Sequence, residues 1–497
     1  MTDGNLYQAF AAHFPAPDTE FLRATAGERY TYGDLDTLSA RLARHLTRLG
    51  LAPGDRLTVQ ADKSPAALWL YLACLRAGIV FHPLNPAYTP TEVDYFVGDA
   101  APAMLAGDDA TIAGLRALAT RHGVPRTATV DGLLADAADA PPGGADARTM
   151  PDSLAALLYS SGTTGKPKGI MLSHRNLAAN ARTLTAAWGF TAADVLLHML
   201  PTFHVHGLFV ALGCTLMSGS RLIFCPKFDA ARALDLLPSA TVMMGVPTYY
   251  TRLLAEPALT AERCRGIRLF TSGSAPLLAE TWHAFRARTG HAVLERYGMT
   301  ETSIITTNPL VGERRPGAVG FPLPGMEVRI ADEADRVVTP GSTGHVQVRG
   351  ASVFQGYWRQ PDKTREDFTG DGWFRTGDDG RFDADGYLSL VGRAKDLVIT
   401  GGLNVYPSEV ETVLDELPEI AESAVIGLPH ADFGEQVIAA IVLAPGATWD
   451  DTRAAAIVRT RLAAYKCPKR YHVLAELPRN AMGKVQKNVL REQLAAV

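Results

Sequence analysis

The sequence predicts an α/β protein: a large N-terminal unit of layered helices and strands carrying a small β-rich subdomain, then a small mobile α+β unit at the C-terminus. Three patterns carry that expectation. Over residues 5–121, apolar helical stretches alternate with short strands, as in AALWLYLACLRAG followed by IVFHPLN, and such alternation implies helices layered on a sheet. Near Gly317 the pattern becomes short strands parted by Gly and Pro turns, in GAVGFPLPGMEVRI, GHVQVRG and GYLSLVGR. After Gly392 strand and helix alternate again over about a hundred residues, enough for a compact domain.

The remaining elements follow in order. Residues 131–150 contain ADAADAPPGGADART, which reads as a polar linker or surface loop. Beyond it LAALLYS is a buried strand and LSHRNLAANARTLTAA an amphipathic helix. ATVMMGVPT, IRLFTSGSAP and HAVLERYGMTE are each strands that end in turns of small or charged residues; in the last, HAVL is the strand and ERYGMTE follows it. In GVPTYYTRLL, Pro247 suits the first turn of a helix on which Tyr249, Arg252 and Leu253 share a face.

Composition excludes several classes. The chain has 497 residues, 47% of them hydrophobic, and a net charge of −4, so it can bury a large core and has no basic face for nucleic acid. The start, MTDGNLYQAF, lacks the basic and apolar regions of a signal peptide, and the most apolar stretch, residues 205–217, is shorter than the ~20 residues of a membrane span. Cys74, Cys214, Cys225, Cys264 and Cys467 form no CxxC pair and no metal-ligand spacing. They read as reduced core residues of a cytoplasmic protein with no membrane partner.

Five motifs carry chemistry. YSSGTTGKPKG lacks the GxxxxGK[ST] spacing, which disfavours a P-loop NTPase. Its glycines, Gly162 and Gly165, let backbone amides converge, while Ser160, Ser161, Thr163 and Thr164 add hydroxyls and Lys168 adds charge, a set suited to phosphate. The plainer reading is a flexible Gly/Ser turn. In ERYGMTE, Tyr297 can stack on a base, Thr300 donate to a phosphate and Glu301 suit Mg²⁺, although such residues also cap helices. GWFRTGD ends in Asp378, able to accept both hydroxyls of a ribose, and GRAKDLVITGG puts Arg393 in reach of the same sugar; a Gly-Asp pair is more commonly a turn. PRNAMGKVQK places Lys484 after a flexible glycine, where a lysine is ordinarily solvated.

Taken together, YSSGTTGKPKG, FTSGSAP, ERYGMTE, GWFRTGD, GRAKDLVITGG and PRNAMGKVQK resemble, in this order, the motifs of the adenylate-forming superfamily of acyl-CoA synthetases, luciferases and adenylation domains. The likeness spans essentially the whole chain. It implies an N-terminal domain, residues 1–394, that holds ATP and an acid, and a C-terminal domain, residues 395–497, that rotates about a hinge at Lys395. It further implies that Ser160, Ser161, Gly162, Thr163, Thr164, Gly165 and Lys168 grip the polyphosphate and that Glu301 binds Mg²⁺. Gly273, Ser274 and Ala275, with Glu295, Arg296, Tyr297 and Gly298, should wall the adenine, while Thr300 should touch the α-phosphate and Asp378 and Arg393 the ribose. Lys484 matches the family's catalytic lysine, and His204 the residue gating the path between acid and CoA. An acyl-adenylate would form first, and coenzyme A would then displace AMP across the glycines Gly401 and Gly402. Acetylation of Lys484 by a protein acetyltransferase would remove the charge.

For the acid, a guanidinium on the helix that lines the acyl pocket, that of Arg252, suits a second carboxylate, which its planar fork matches. A solvent-facing Arg252 is the plain alternative. His206 and Ser274 face the same region, Met299 borders it, and PTFHVHGLFV, MGVPTYYTRLL and RLFTSGSAPLLAE look closely similar to malonyl-CoA synthetases. The expectation is malonate first and methylmalonate second. The alternatives are an acyl-CoA synthetase for another short or medium acid, an adenylating enzyme with a carrier-protein acceptor, and a non-catalytic nucleotide-binding module.

Overall fold

A computed structural model of the chain describes residues 4–25, 27–141, 146–159, 167–393, 396–400, 403–430, 434–462, 464–480 and 483–495. The strand Leu154–Tyr159, apolar throughout, joins Val80–Leu84, Arg56–Gln60, Met104–Gly107 and Thr127–Thr129 in the parallel part of a six-stranded sheet. Gly169–Ser173 returns antiparallel to it at the sheet edge, pairing Gly169 with Tyr159, the two ends of the glycine-rich motif.

A nine-stranded sheet lies at the centre of the second α/β block. Its inner strands Glu20–Ala24, Arg221–Phe224, Val195–His198, Val242–Gly245, Leu269–Ser272 and Leu294–Met299 are parallel neighbours in that order, and Ser303–Thr307 closes antiparallel on the last. Parallel strands need helices on both faces, hence their near-continuous apolar runs. Motifs at the carboxyl ends of such strands gather at one edge, where open α/β sheets bind ligands. One hydrophobic cluster, with Trp69, Trp188 and Trp282 at its centre, runs through both sheets.

The β-rich segment forms a four-stranded antiparallel sheet, Met326–Ala331, Gly344–Gly350, Phe374–Phe382 and Leu388–Arg393. From Val398 onward the chain builds a separate five-stranded sheet with its own apolar clusters. No helix among the described residues is long and apolar enough to cross a membrane, and all five cysteines are free, buried thiols.

Three expectations need correction. The supposed linker begins as a helix, Val130–Asp136, because Val130 and Leu133 bury and Thr129 caps it by accepting from the Gly132 amide. Asp146, also in that stretch, is buried against Arg76 at 2.7 Å. The strand expected over HAVL instead spans Leu294–Met299 and takes in most of ERYGMTE. On the helix Pro247–Ala255, Tyr249 and Leu253 are buried but Arg252 is exposed.

Candidate active site

The nucleotide end is assembled where the N-terminal sheets meet the four-stranded one. Ser160, Ser161, Gly162, Thr163, Thr164 and Gly165 lie outside the described residues, as does Lys395. Lys168 is described: its ammonium sits 4.8 Å from the ring centroid of Tyr357, whose hydroxyl donates to Glu301 Oε1 at 3.4 Å. Glu301 is buried. Among the described residues no cluster of three or more His, Cys, Asp or Glu could hold a metal by itself. That fits Mg²⁺, which takes one or two carboxylates and lets phosphate and water supply the remaining oxygens. Tyr357 carried no signal in the sequence, since it lies far from every motif and declares itself only by touching two of them.

Tyr297 donates to Asp378 Oδ2 at 2.5 Å, so an aromatic face and a buried carboxylate are fixed to one another. Asp378 pairs directly with Arg393 across the antiparallel ladder. Glu295 accepts from the Gly317 amide at 3.0 Å, and burial pushes its carboxyl up to about 8.

Strand alternation sends Arg296 the other way. Glu295 and Tyr297 face Gly317 and Asp378, so the residue between them points to the opposite face. There the guanidinium packs against Gly273 so closely that a Cβ on that glycine would lie 2.3 Å from Cζ. Its charge acts on His204, His206 and Tyr250. The Arg296 side chain therefore lies with the histidines, on the face opposite Glu295 and Tyr297. It is only 5% exposed, and among the described residues its Nε and Nη2 have no hydrogen-bond partner. Burial lowers its pKa to about 10, which leaves it protonated at neutral pH.

Around that cation the groups are neutral and polar. The His206 ring Nδ1 is 3.4 Å from Ser274 Oγ, and its Nε2 is buried without a partner among the described residues. Ser274 holds a left-handed backbone at φ 71°, a costly conformation that gathers at functional sites. Burial, then the Arg296 charge, lowers the pKa of His204 to about 4 and that of His206 well below the ordinary value. Both imidazoles are neutral at pH 7, and the positive charge of this subsite is the guanidinium.

Lys484 arrives from the C-terminal domain. Its loop is a tight hairpin: Arg479 bridges to Val485, and the Lys484 amide donates to Asn480 Oδ1 at 3.0 Å. Gly483, at φ 74°, presses on Thr248, so that a Cβ there would be 3.3 Å from Thr248 Oγ1. Thr248 lies at the start of the helix that carries Arg252. Between loop and helix is a cavity of about 650 Å³ whose lining includes Thr248, Tyr249, Arg252, Arg479 and Asn480. Arg252 thus stands on the rim of an interdomain cavity rather than in the buried pocket.

The chain is 35% identical over 537 residues to a mitochondrial malonate–CoA ligase of Mus musculus, covering 97% of this chain and 92% of that protein. It is 34% identical over 481 residues to a sulfoacetate–CoA ligase of Cupriavidus necator, covering 95% and 94%. The crystal structure of ATP-bound MatB from Rhodopseudomonas palustris superposes with a TM-score of 0.97 at 49% identity, over 99% of both chains. Apo MatB gives 0.86 at the same identity and coverage. Residues 8–358 match the AMP-binding enzyme family and residues 409–484 its C-terminal domain; the chain is a member of the AMP-binding enzyme family.

Proposed function

We propose that this protein is an ATP-dependent malonate–CoA ligase that releases AMP and pyrophosphate. The observation that carries the acid specificity is the buried guanidinium of Arg296, with two unpaired nitrogens beside His206 and Ser274. A charge removed from water and left unpaired costs several kcal/mol. A second carboxylate on the substrate would supply the missing partner, whereas a fatty or aryl acid would not. The similarity to malonate–CoA and sulfoacetate–CoA ligases supports this reading, since both acids carry a second anion. Sulfoacetate and methylmalonate are accordingly the next candidates.

In the first half-reaction a carboxylate oxygen of malonate bonds to the α-phosphorus of ATP and the bond to pyrophosphate breaks. In this reading Lys484 lies between the two anions, where the transition state gains charge. Thr300 and Lys168 donate to phosphate oxygens, Tyr297 stacks on the adenine, and Asp378 and Arg393 hold the ribose. Glu301 is the carboxylate that would hold Mg²⁺, which when bound neutralises phosphate charge. In the second half-reaction the CoA thiolate bonds to the acyl carbon and AMP leaves. We place the hinge at Lys395, between the sheet ending at Arg393 and the one beginning at Val398. The higher TM-score against ATP-bound than apo MatB, at one identity, supports an adenylate-forming arrangement here. The reading extends to a cytoplasmic enzyme, supported by five free thiols, with Lys484 open to a protein acetyltransferase.

Malonate labelled with ¹⁸O in its carboxylates tests the route. One label should pass to AMP per turnover. Label retained wholly in malonyl-CoA, or ADP as product, would overturn it.

A further inference from the structure

Lys63 is a partly buried lysine that makes no ion pair with a carboxylate among the described residues. It follows the strand Arg56–Gln60 and precedes Ser64, the cap of the helix Pro65–Ala77. Its Nζ lies 2.7 Å from His198 Nδ1, donates to the His198 carbonyl oxygen at 2.9 Å, and sits 4.4 Å from the Phe224 ring centroid. Burial holds its pKa well below the ordinary lysine value. A long side chain kept here only to fill space would be better served by methionine, which has no amine to desolvate.

The hydrogen bonds run in one direction. His198 Nε2 is 2.9 Å from the Gly207 carbonyl oxygen, and a carbonyl only accepts, so Nε2 carries the proton. A neutral imidazole has one N–H, which leaves Nδ1 as an acceptor and Lys63 as its donor. His198 is kept neutral, because burial and then the Lys63 charge push its pKa well down. The gripped carbonyl lies in the π-helical turn His206–Ala211, next to His206, and also accepts from the Leu212 amide five residues on. Such widened turns are rare and gather at functional sites. The position admits only glycine, since a Cβ on Gly207 would be 1.9 Å from the Pro201 carbonyl oxygen.

We propose that Lys63 and His198 form a positioning relay for the acid subsite. Lys63 fixes the His198 tautomer; that tautomer holds the Gly207 carbonyl; and the held turn keeps the His206 ring against Ser274, beside Arg296. The inference rests on the proposed function for the identity of the acid. It assigns neither residue a contact with substrate.

The test is Lys63→Met in the wild-type and His198→Gln backgrounds, with KM for malonate and for ATP read from pyrophosphate release. A glutamine amide can donate to Gly207 and has no tautomer to fix. Lys63→Met should raise KM for malonate about tenfold, by analogy with the lower end of what an outer orienting partner contributes at metal sites, and leave KM for ATP within about twofold. In the His198→Gln background the same substitution should change KM for malonate less than about twofold. The same factor in both backgrounds, or an equal rise in KM for ATP, would show Lys63 serving the fold and overturn the relay. If Lys63→Met does not fold, His198→Gln against His198→Leu decides. The glutamine should stay within about threefold of wild type in KM for malonate and the leucine lose about tenfold, whereas equal losses would overturn the relay. A wild type that releases no pyrophosphate with malonate contradicts the functional reading instead, and the relay is then read with the acid it does use.

Discussion

Arg296→Met keeps a long side chain beside Gly273 and removes only the guanidinium. Two opposed effects follow from its surroundings. Arg296 is 5% exposed with two unpaired nitrogens, so in the free protein its charge is a liability. Replacing such a charge with an apolar group is often neutral or stabilising, by about 1–4 kcal/mol. The Tm of the variant should therefore equal or exceed that of wild type. In the malonate complex the reverse holds: the distal carboxylate would be buried unpaired, at about 2–5 kcal/mol by analogy with truncated interfacial charge pairs. That is roughly a 30- to 5,000-fold loss in kcat/KM for malonate, at about 1.4 kcal/mol per decade. Propionate and butyrate, with no second charge, should be handled as well or better. Arg296→Lys should recover part of the malonate activity, because an ammonium lacks the fork. Pyrophosphate release with each acid, beside thermal melts of the free proteins, reads both effects. A lowered Tm with equal loss of all acids would make Arg296 a structural residue and refute the reasoning.

Three further outcomes follow from the same geometry. Lys484→Ala should slow adenylate formation at least ~100-fold, the scale of one transition-state donor, and largely spare thioester formation from supplied malonyl-adenylate; equal loss in both steps would contradict a role confined to the first. Arg252→Ala should cost malonate only about two- to fivefold and less in high salt, as for an exposed charge, with kcat/KM against ionic strength as the check; a salt-independent loss of a hundredfold would move the anchor back to Arg252. Glu295→Gln keeps an acceptor for the Gly317 amide and removes the ionisation. Because the folded pKa of Glu295, about 8, lies above the unfolded value near ~4.3, its contribution to stability is full below that lower value and is lost as pH rises through 8. The Tm advantage of the glutamine variant should be small at pH 5 and grow toward pH 8, and a gap independent of pH would refute the assignment.

The layering of the fold was legible because its signals are local. AALWLYLACLRAG and IVFHPLN became the helix Pro65–Ala77 and the strand Val80–Leu84, as their periodicity requires. Residues 131–150 misled because small, polar-looking composition hid Leu133, which with Val130 just before the stretch finds a core only in three dimensions. The site motifs were legible as a set, but not which way the side chains of Arg296 and Arg252 point. For Arg296 the period-two alternation of a strand was available once ERYGM was recognised as strand. For Arg252 it was not, because helical spacing cannot say where a face ends and a domain boundary begins. Tyr357, Lys63 and His198 carried no motif and acquire meaning only through distances to Glu301 and Gly207.

The central claim is that the pocket is built for an acid with a second anion, and wild-type pyrophosphate release across a matched acid panel tests it most directly. Malonate, methylmalonate and sulfoacetate should exceed propionate and butyrate in kcat/KM by at least the ~30-fold that about 2 kcal/mol of charge pairing supplies. Among the three, malonate should lead. Equal rates for malonate and butyrate, or a rise with chain length through the monocarboxylates, would contradict the account and leave the buried guanidinium without a substrate partner.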